Sequence, residues 1–156
     1  MGGYALNKNI TGGGNSAIGA LALCFNTSGY NNTALGERTL FSNTTGLENT
    51  GIGNHALFNN STGKNNTATS ALSGNTTAWN NNAFGYNALH NNITAWNNNA
   101  CSFGCMFSNT VGTENSAFGH DAMYYNDSGS YNSALGTMLF SIIKKESKIV
   151  LLVLTH

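Results

Sequence analysis

Asn32-Thr33-Ala34-Leu35-Gly36, followed by Leu40 and then by Asn43-Thr44-Thr45-Gly46, decides the fold of this chain because it returns every 17 residues. Its A-x-G element is read again at Ala17-Ile18-Gly19, Gly51-Ile52-Gly53, Ala83-Phe84-Gly85, Ala117-Phe118-Gly119 and Ala134-Leu135-Gly136. Degenerate copies stand at Ala68-Thr69-Ser70 and Ala100-Cys101-Ser102, and the copy that begins at Ala68 is shorter than the rest by two residues. Fixed-period self-similarity means stacked units, none able to bury its apolar face alone. Whatever the chain does, it does with an extended, repetitive surface.

Within the unit an Ala-Leu pair recurs at Ala5-Leu6, Ala22-Leu23, Thr39-Leu40, Ala56-Leu57, Ala71-Leu72, Ala88-Leu89, Cys105-Met106 and Ala122-Met123. The Leu/Met column is the one steadily large apolar position, so it is the expected spine of the core. Helices are excluded by length: Gly, Asn and Thr interrupt every few residues, and helices that short are not viable. The expected class is all-β, a β-solenoid or β-roll of 17-residue coils with two short strands per coil and Asn/Gly turns. At about 4.8 Å per coil the rod should be roughly 40 Å long.

Asn recurs in two columns. The first is Asn15, Asn32, Asn49, Asn66, Asn81, Asn98, Asn115 and Asn132, expected to form a hydrogen-bonded ladder between coils. The second is Asn9, Asn26, Asn43, Asn60, Asn75, Asn92, Asn109 and Asn126. All of these except Asn109 open an N-x-[ST] acceptor, and in one phase they suggest N-glycosylation along one corner of the rod. The competing reading is that N-x-T-G is simply the turn this fold needs. Weaker acceptors stand at Asn31, Asn59 and Asn65.

Composition narrows the function. Of 156 residues only 8% are charged and the formal net charge is zero, so nothing points to nucleic acid or to an anionic membrane. Cys24, Cys101 and Cys105 are odd in number, which argues against a disulfide framework. His55, His90, His120 and His156 are scattered, and His120-Asp121 would point to opposite faces if it lay in a strand. Gly12-Gly13-Gly14 lacks the Lys-Ser/Thr of a phosphate loop. The expectation is no enzyme, no metal and no cofactor. Phe41, Phe58, Phe107 and Tyr124 follow the Leu column, with His90 in phase and Phe25 one later, while Trp79 and Trp96 lie one repeat apart as candidate surface aromatics.

The repeat covers 1–138 in about eight copies and reads as a piece of a longer array, since the chain opens mid-repeat without a secretory signal. Residues 139–156 diverge. Read one nucleotide out of frame they restore the repeat pattern, so a frameshifted continuation is the expectation, with a capping strand as the alternative. The uncharged run 149–155 is too short to span a membrane.

The N-T-A-x-G-x-x-A-L…N-T-T-G unit, as in Asn32 to Gly46, resembles tandem repeats of phage and giant-virus tail-fibre-like proteins. It is similar, more loosely, to the N-S-x-A-x-G head repeats of trimeric autotransporter adhesins, from which it departs in period. The resemblance implies an extracellular fibre, or one on a virion or cell surface, often trimeric. Two functions are therefore expected: a structural subunit that self-associates into a fibre or homo-oligomer with covalent glycans, or an attachment protein that binds host glycans or receptors.

Overall fold

The strand is made of the first two residues of the A-x-G element and the residue before them, and the rest of the coil is turn, bend or irregular backbone. The computed structural model describes residues 2–138, 148 and 150–152, residues 151 and 152 by backbone alone. Among the described residues nine three-residue strands form one parallel sheet in chain order. They are β1 (Ser16–Ile18), β2 (Thr33–Leu35), β3 (Thr50–Ile52), β4 (Thr67–Thr69), β5 (Asn82–Phe84), β6 (Asn99–Cys101), β7 (Ser116–Phe118), β8 (Ser133–Leu135) and β9 (Val150–Leu152). The result is a parallel β-solenoid of about seven turns with a 17-residue period, and no helix occurs among the described residues.

Register is identical at every junction: Ala17 pairs with Ala34, Ala34 with Gly51, Gly51 with Ala68 and so on. Between β4 and β5 the step shrinks to 15 residues, yet Ala68 still meets Ala83. In β1 to β8 the central residue is buried and the two flanking residues are more exposed, the alternation a pleat imposes. The strands stop after three residues because the next position turns. Gly36 has φ +138, and a Cβ there would lie 2.7 Å from the backbone of Gly53 in the next coil.

The expected second strand of each coil does not occur among the described residues. In its place, around the Ala-Leu pair, the chain takes left-handed backbone at two residues per coil, such as Leu21 (φ 59) and Leu23 (φ 50). The Leu21 N–H donates to Gly3 O in the preceding coil at 2.9 Å, and the Leu23 N–H to Thr39 O in the next at 3.0 Å. Amides thus point alternately down and up the rod, and inter-coil hydrogen bonding continues without an extended strand. A left-handed Leu costs about 1–2 kcal/mol. Complete burial of its side chain recovers roughly 1.5–3 kcal/mol, and Leu23, Leu40, Leu57, Leu72 and Leu89 are all fully buried.

The core is a thin strip. Two columns of Ala face each other across the Leu/Met spine, closed by Met106 and Met123 toward the C-terminal end. The small residues let opposite walls of the coil approach, which is why so little hydrophobic volume suffices.

Val150–Leu152 joins β8 in parallel at the same 17-residue offset, Ser133 opposite Val150. Apart from Lys148, the remainder of 139–156, on which the frameshift and cap expectations and His156 fall, lies outside the described residues.

Candidate functional site

Two buried ladders of amides run the length of the rod. In the first column an interior Asn uses its backbone N–H, both Nδ2 protons and its Oδ1. Asn66 donates its backbone N–H and one Nδ2 proton to Asn49 Oδ1, both at 3.1 Å, and its other Nδ2 proton to Ala78 O at 2.8 Å. The second column has a different geometry. Asn43 Nδ2 donates to Asn26 Oδ1 at 2.8 Å and to Gly46 O, three residues on, at 3.0 Å, closing the N-x-T-G turn. A buried amide left unpaired costs several kcal/mol, and this arrangement leaves few unpaired. The exception at the C-terminal end is Asn126 Oδ1, which has no partner among the described residues.

That geometry corrects the glycosylation expectation for the second column. Asn26, Asn43, Asn60, Asn75, Asn92 and Asn126 are fully buried, and each commits both Nδ2 protons inside the coil. A sugar joined to that nitrogen would replace one of the two donated protons and would have to be accommodated inside the buried coil. Asn9, in the first coil, is exposed, but it too donates to Gly12 O and accepts from Asn26. The ranking of acceptors inverts: Asn31, Asn59 and Asn65 are the ones on the surface. Sequence spacing marked the column but could not say which way its side chains face.

The aromatic columns are stacked along the rod. Phe41 lies flat on Phe58 with centroids 5.1 Å apart, and His90, Phe107 and Tyr124 continue the same column at 4.9 Å per step. Between the two runs, in the short coil, Ser73 stands where a ring would. Trp79 and Trp96 stack at 5.2 Å, almost parallel, with Trp79 exposed and Trp96 half-buried. A third run joins Tyr86, Phe103 and His120.

Among the described residues the short coil is where the coil length departs from the repeat. Ser70 is followed directly by Ala71, so the two corner residues that other coils carry, such as Asn54-His55 or Tyr86-Asn87, are absent. A notch of about 460 Å³ results, with Asn54, Phe58 and Asn59 on one side and Tyr86, Asn87 and His90 on the other. Backbone groups are freed with it. In the other coils the N–H at this corner reaches the preceding coil: Arg38 to Ala20 O, His55 to Glu37 O, Gly104 to Tyr86 O and Asp121 to Phe103 O. Asn87 N–H has no such carbonyl to reach, and Asn54 C=O receives no donor, among the described residues. The missing residues were legible in the sequence; the cavity and the orphaned amide they leave were not.

His120 and Asp121 do not diverge as a strand would make them. They lie at a turn, with His120 Nδ1 3.1 Å from Asp121 Oδ2 and with Asp121 at φ 55. Among the described residues no three His, Cys, Asp or Glu side chains group as metal ligands. Cys105 is buried and donates to Ala117 O at 3.1 Å. Burial, the largest cause, pushes its thiol up to about 12. No helix among the described residues is long and apolar enough to cross a membrane. No protein-family model, curated protein or solved structure matches the chain.

Proposed function

We propose that this chain is a shaft segment of an extracellular repetitive fibre, on a cell or virion surface or in a matrix, with its length set by the number of coils. The observation that carries this reading is the sameness of the junctions. Every coil meets the next through one strand register, two amide ladders and one Leu/Met spine, so the structure has a direction of growth but no centre. Self-association has a candidate surface: Ile18, Leu35, Ile52, Phe84, Phe118 and Leu135 form an exposed apolar file on the outer face of the sheet. A second copy would present the same spacing, which suits a homo-oligomer such as a trimer. Exposed Asn31, Asn59 and Asn65 offer acceptors for glycans in a host that glycosylates exported chains.

Electron microscopy of the purified protein tests this reading. Duplicating residues 34–67 should lengthen the particle by about 10 Å, two coil steps, at constant width. A particle that widens, or a rod that does not lengthen, would refute it.

A second reading, attachment to host glycans or receptors, draws support from the short coil. A pure shaft has no need of a break in its surface, and here the break coincides with rings and free polar groups.

A further inference from the structure

We infer that the notch at the short coil is a binding site for a neutral hexopyranose, held between the Phe58 and His90 rings. The inference rests on the attachment reading and gives it a place and a ligand class.

Three features of the notch point the same way. The first is the interrupted stack. Phe58 ends one run of rings and His90 begins the next, separated by two coil steps of roughly 10 Å; neighbouring rings in the intact runs sit 4.9 to 5.1 Å apart. One flat-faced guest fits where Ser73 supplies no ring. The apolar face of a pyranose is such a guest, and Tyr86, 63% exposed, offers a further ring at the rim.

The second is the hydrogen-bonding inventory. The Asn54, Asn59 and Asn87 amides and the Ser70 and Ser73 hydroxyls surround the space. The orphaned Asn87 N–H and Asn54 C=O add a backbone donor and acceptor of fixed direction. Amides donate and accept at adjacent atoms, which matches neighbouring sugar hydroxyls, themselves donor and acceptor at once.

The third is charge. No Lys, Arg, Asp or Glu lines the notch, whose basic side chains are the His55 and His90 imidazoles, so it holds no permanent charge to favour a sialic acid, a sulfated sugar or a phosphate over a neutral sugar. The volume of about 460 Å³ falls within the usual range of small-ligand clefts, roughly 300 to 1,000 Å³. The Trp79–Trp96 stack shows no comparable interruption.

The test uses the full chain and two probe sets: methyl hexopyranosides of gluco, galacto and manno configuration followed by saturation-transfer NMR, and a printed glycan array. Ser73→Phe completes the column and fills the slot. Tyr86→Ala removes an exposed ring without touching the core. Circular dichroism confirms that each variant keeps the coil, and Trp79→Ala serves as the off-site control. The inference expects at least one neutral sugar to bind, with affinity reduced about tenfold or more in Ser73→Phe and Tyr86→Ala and unchanged in Trp79→Ala. Array binding that survives Ser73→Phe would overturn the notch and leave the attachment reading standing. A wild-type rod silent toward both probe sets would overturn both.

Discussion

Asn49 and Asn32 meet at a single oxygen: the backbone N–H and the side-chain Nδ2 of Asn49 both donate to Asn32 Oδ1, each at 3.0 Å. Asn49 passes the same pair on, since its own Oδ1 accepts two bonds from Asn66. Asn49→Ala therefore strands donors on one neighbour and acceptors on others, all buried. A loss of about 3 kcal/mol or more in urea-induced unfolding is expected. Asn49→Asp should be worse at neutral pH, because a carboxylate cannot donate to Asn32 or to Gly63 O.

The Leu spine is constrained by backbone as well as by volume. Leu57 is fully buried at φ 54, and the equivalent Met106 and Met123 have φ 51 and 54. Leu57→Met should cost less than about 1.5 kcal/mol. Leu57→Ile, equal in volume, should cost more than Leu57→Met, because a β-branched residue resists left-handed φ. Thermal midpoints of the two variants check the order.

Gly36 and Gly13 separate geometry from composition. Gly36→Ala meets both a φ of +138 and the Gly53 backbone, whereas a Cβ on Gly13 meets nothing within 4 Å. Strain of this kind costs about 1–3 kcal/mol. Gly36→Ala should lower the unfolding midpoint clearly, and Gly13→Ala should leave it almost unchanged.

Expression in a glycosylating secretory host gives a direct reading of which asparagines face out. Glycopeptide mass spectrometry of the folded, secreted protein should find sugar at Asn31, Asn59 or Asn65 and none at Asn26, Asn43, Asn60, Asn75, Asn92 or Asn126. Occupancy of the buried column in folded material would contradict the ladder.

Cys105 should be chemically silent in the folded state. At pH 8 a maleimide should label exposed Cys101 and leave Cys105 untouched until denaturant is added. The Cys105 thiol is raised from 9.0 to about 12, chiefly by burial. A group whose folded pKa lies above its unfolded value contributes stability that is whole below the unfolded value and lost above it. Stability should accordingly fall as pH climbs from 9 toward 12, and Cys105→Ala should reduce that slope.

The stacked architecture was legible because a period is independent of side-chain orientation: Ala17, Ala34 and Ala68 announce one another whatever direction they face. The first Asn column read correctly for the same reason. Orientation is where the reading failed. An N-x-T-G turn is equally polar whether its Asn points into the coil, as Asn43 does, or out of it. Two strands per coil are expected from the sequence, and nothing at Ala22-Leu23 marks left-handed backbone, for which Leu is a poor candidate. Only Gly104, at the place held by Leu21 and Arg38, hinted that this corner needs positive φ. The short copy at Ala68 was visible, but its cavity depends on which carbonyls the absent residues would have supplied.

The 15-residue step between β4 and β5 has a consequence for inheritance. The coil lost two residues at one corner and still delivered Ala83 to Ala68 and Asn81 to Asn66 in phase. Every junction being alike, unequal recombination within such a gene adds or removes whole turns while each new boundary is one the chain already knows how to make. Small losses confined to that corner are absorbed locally and never accumulate. Length is thus open to variation between lineages without a search for new packing, and a single shortened turn can persist as a landmark on an otherwise uniform ruler.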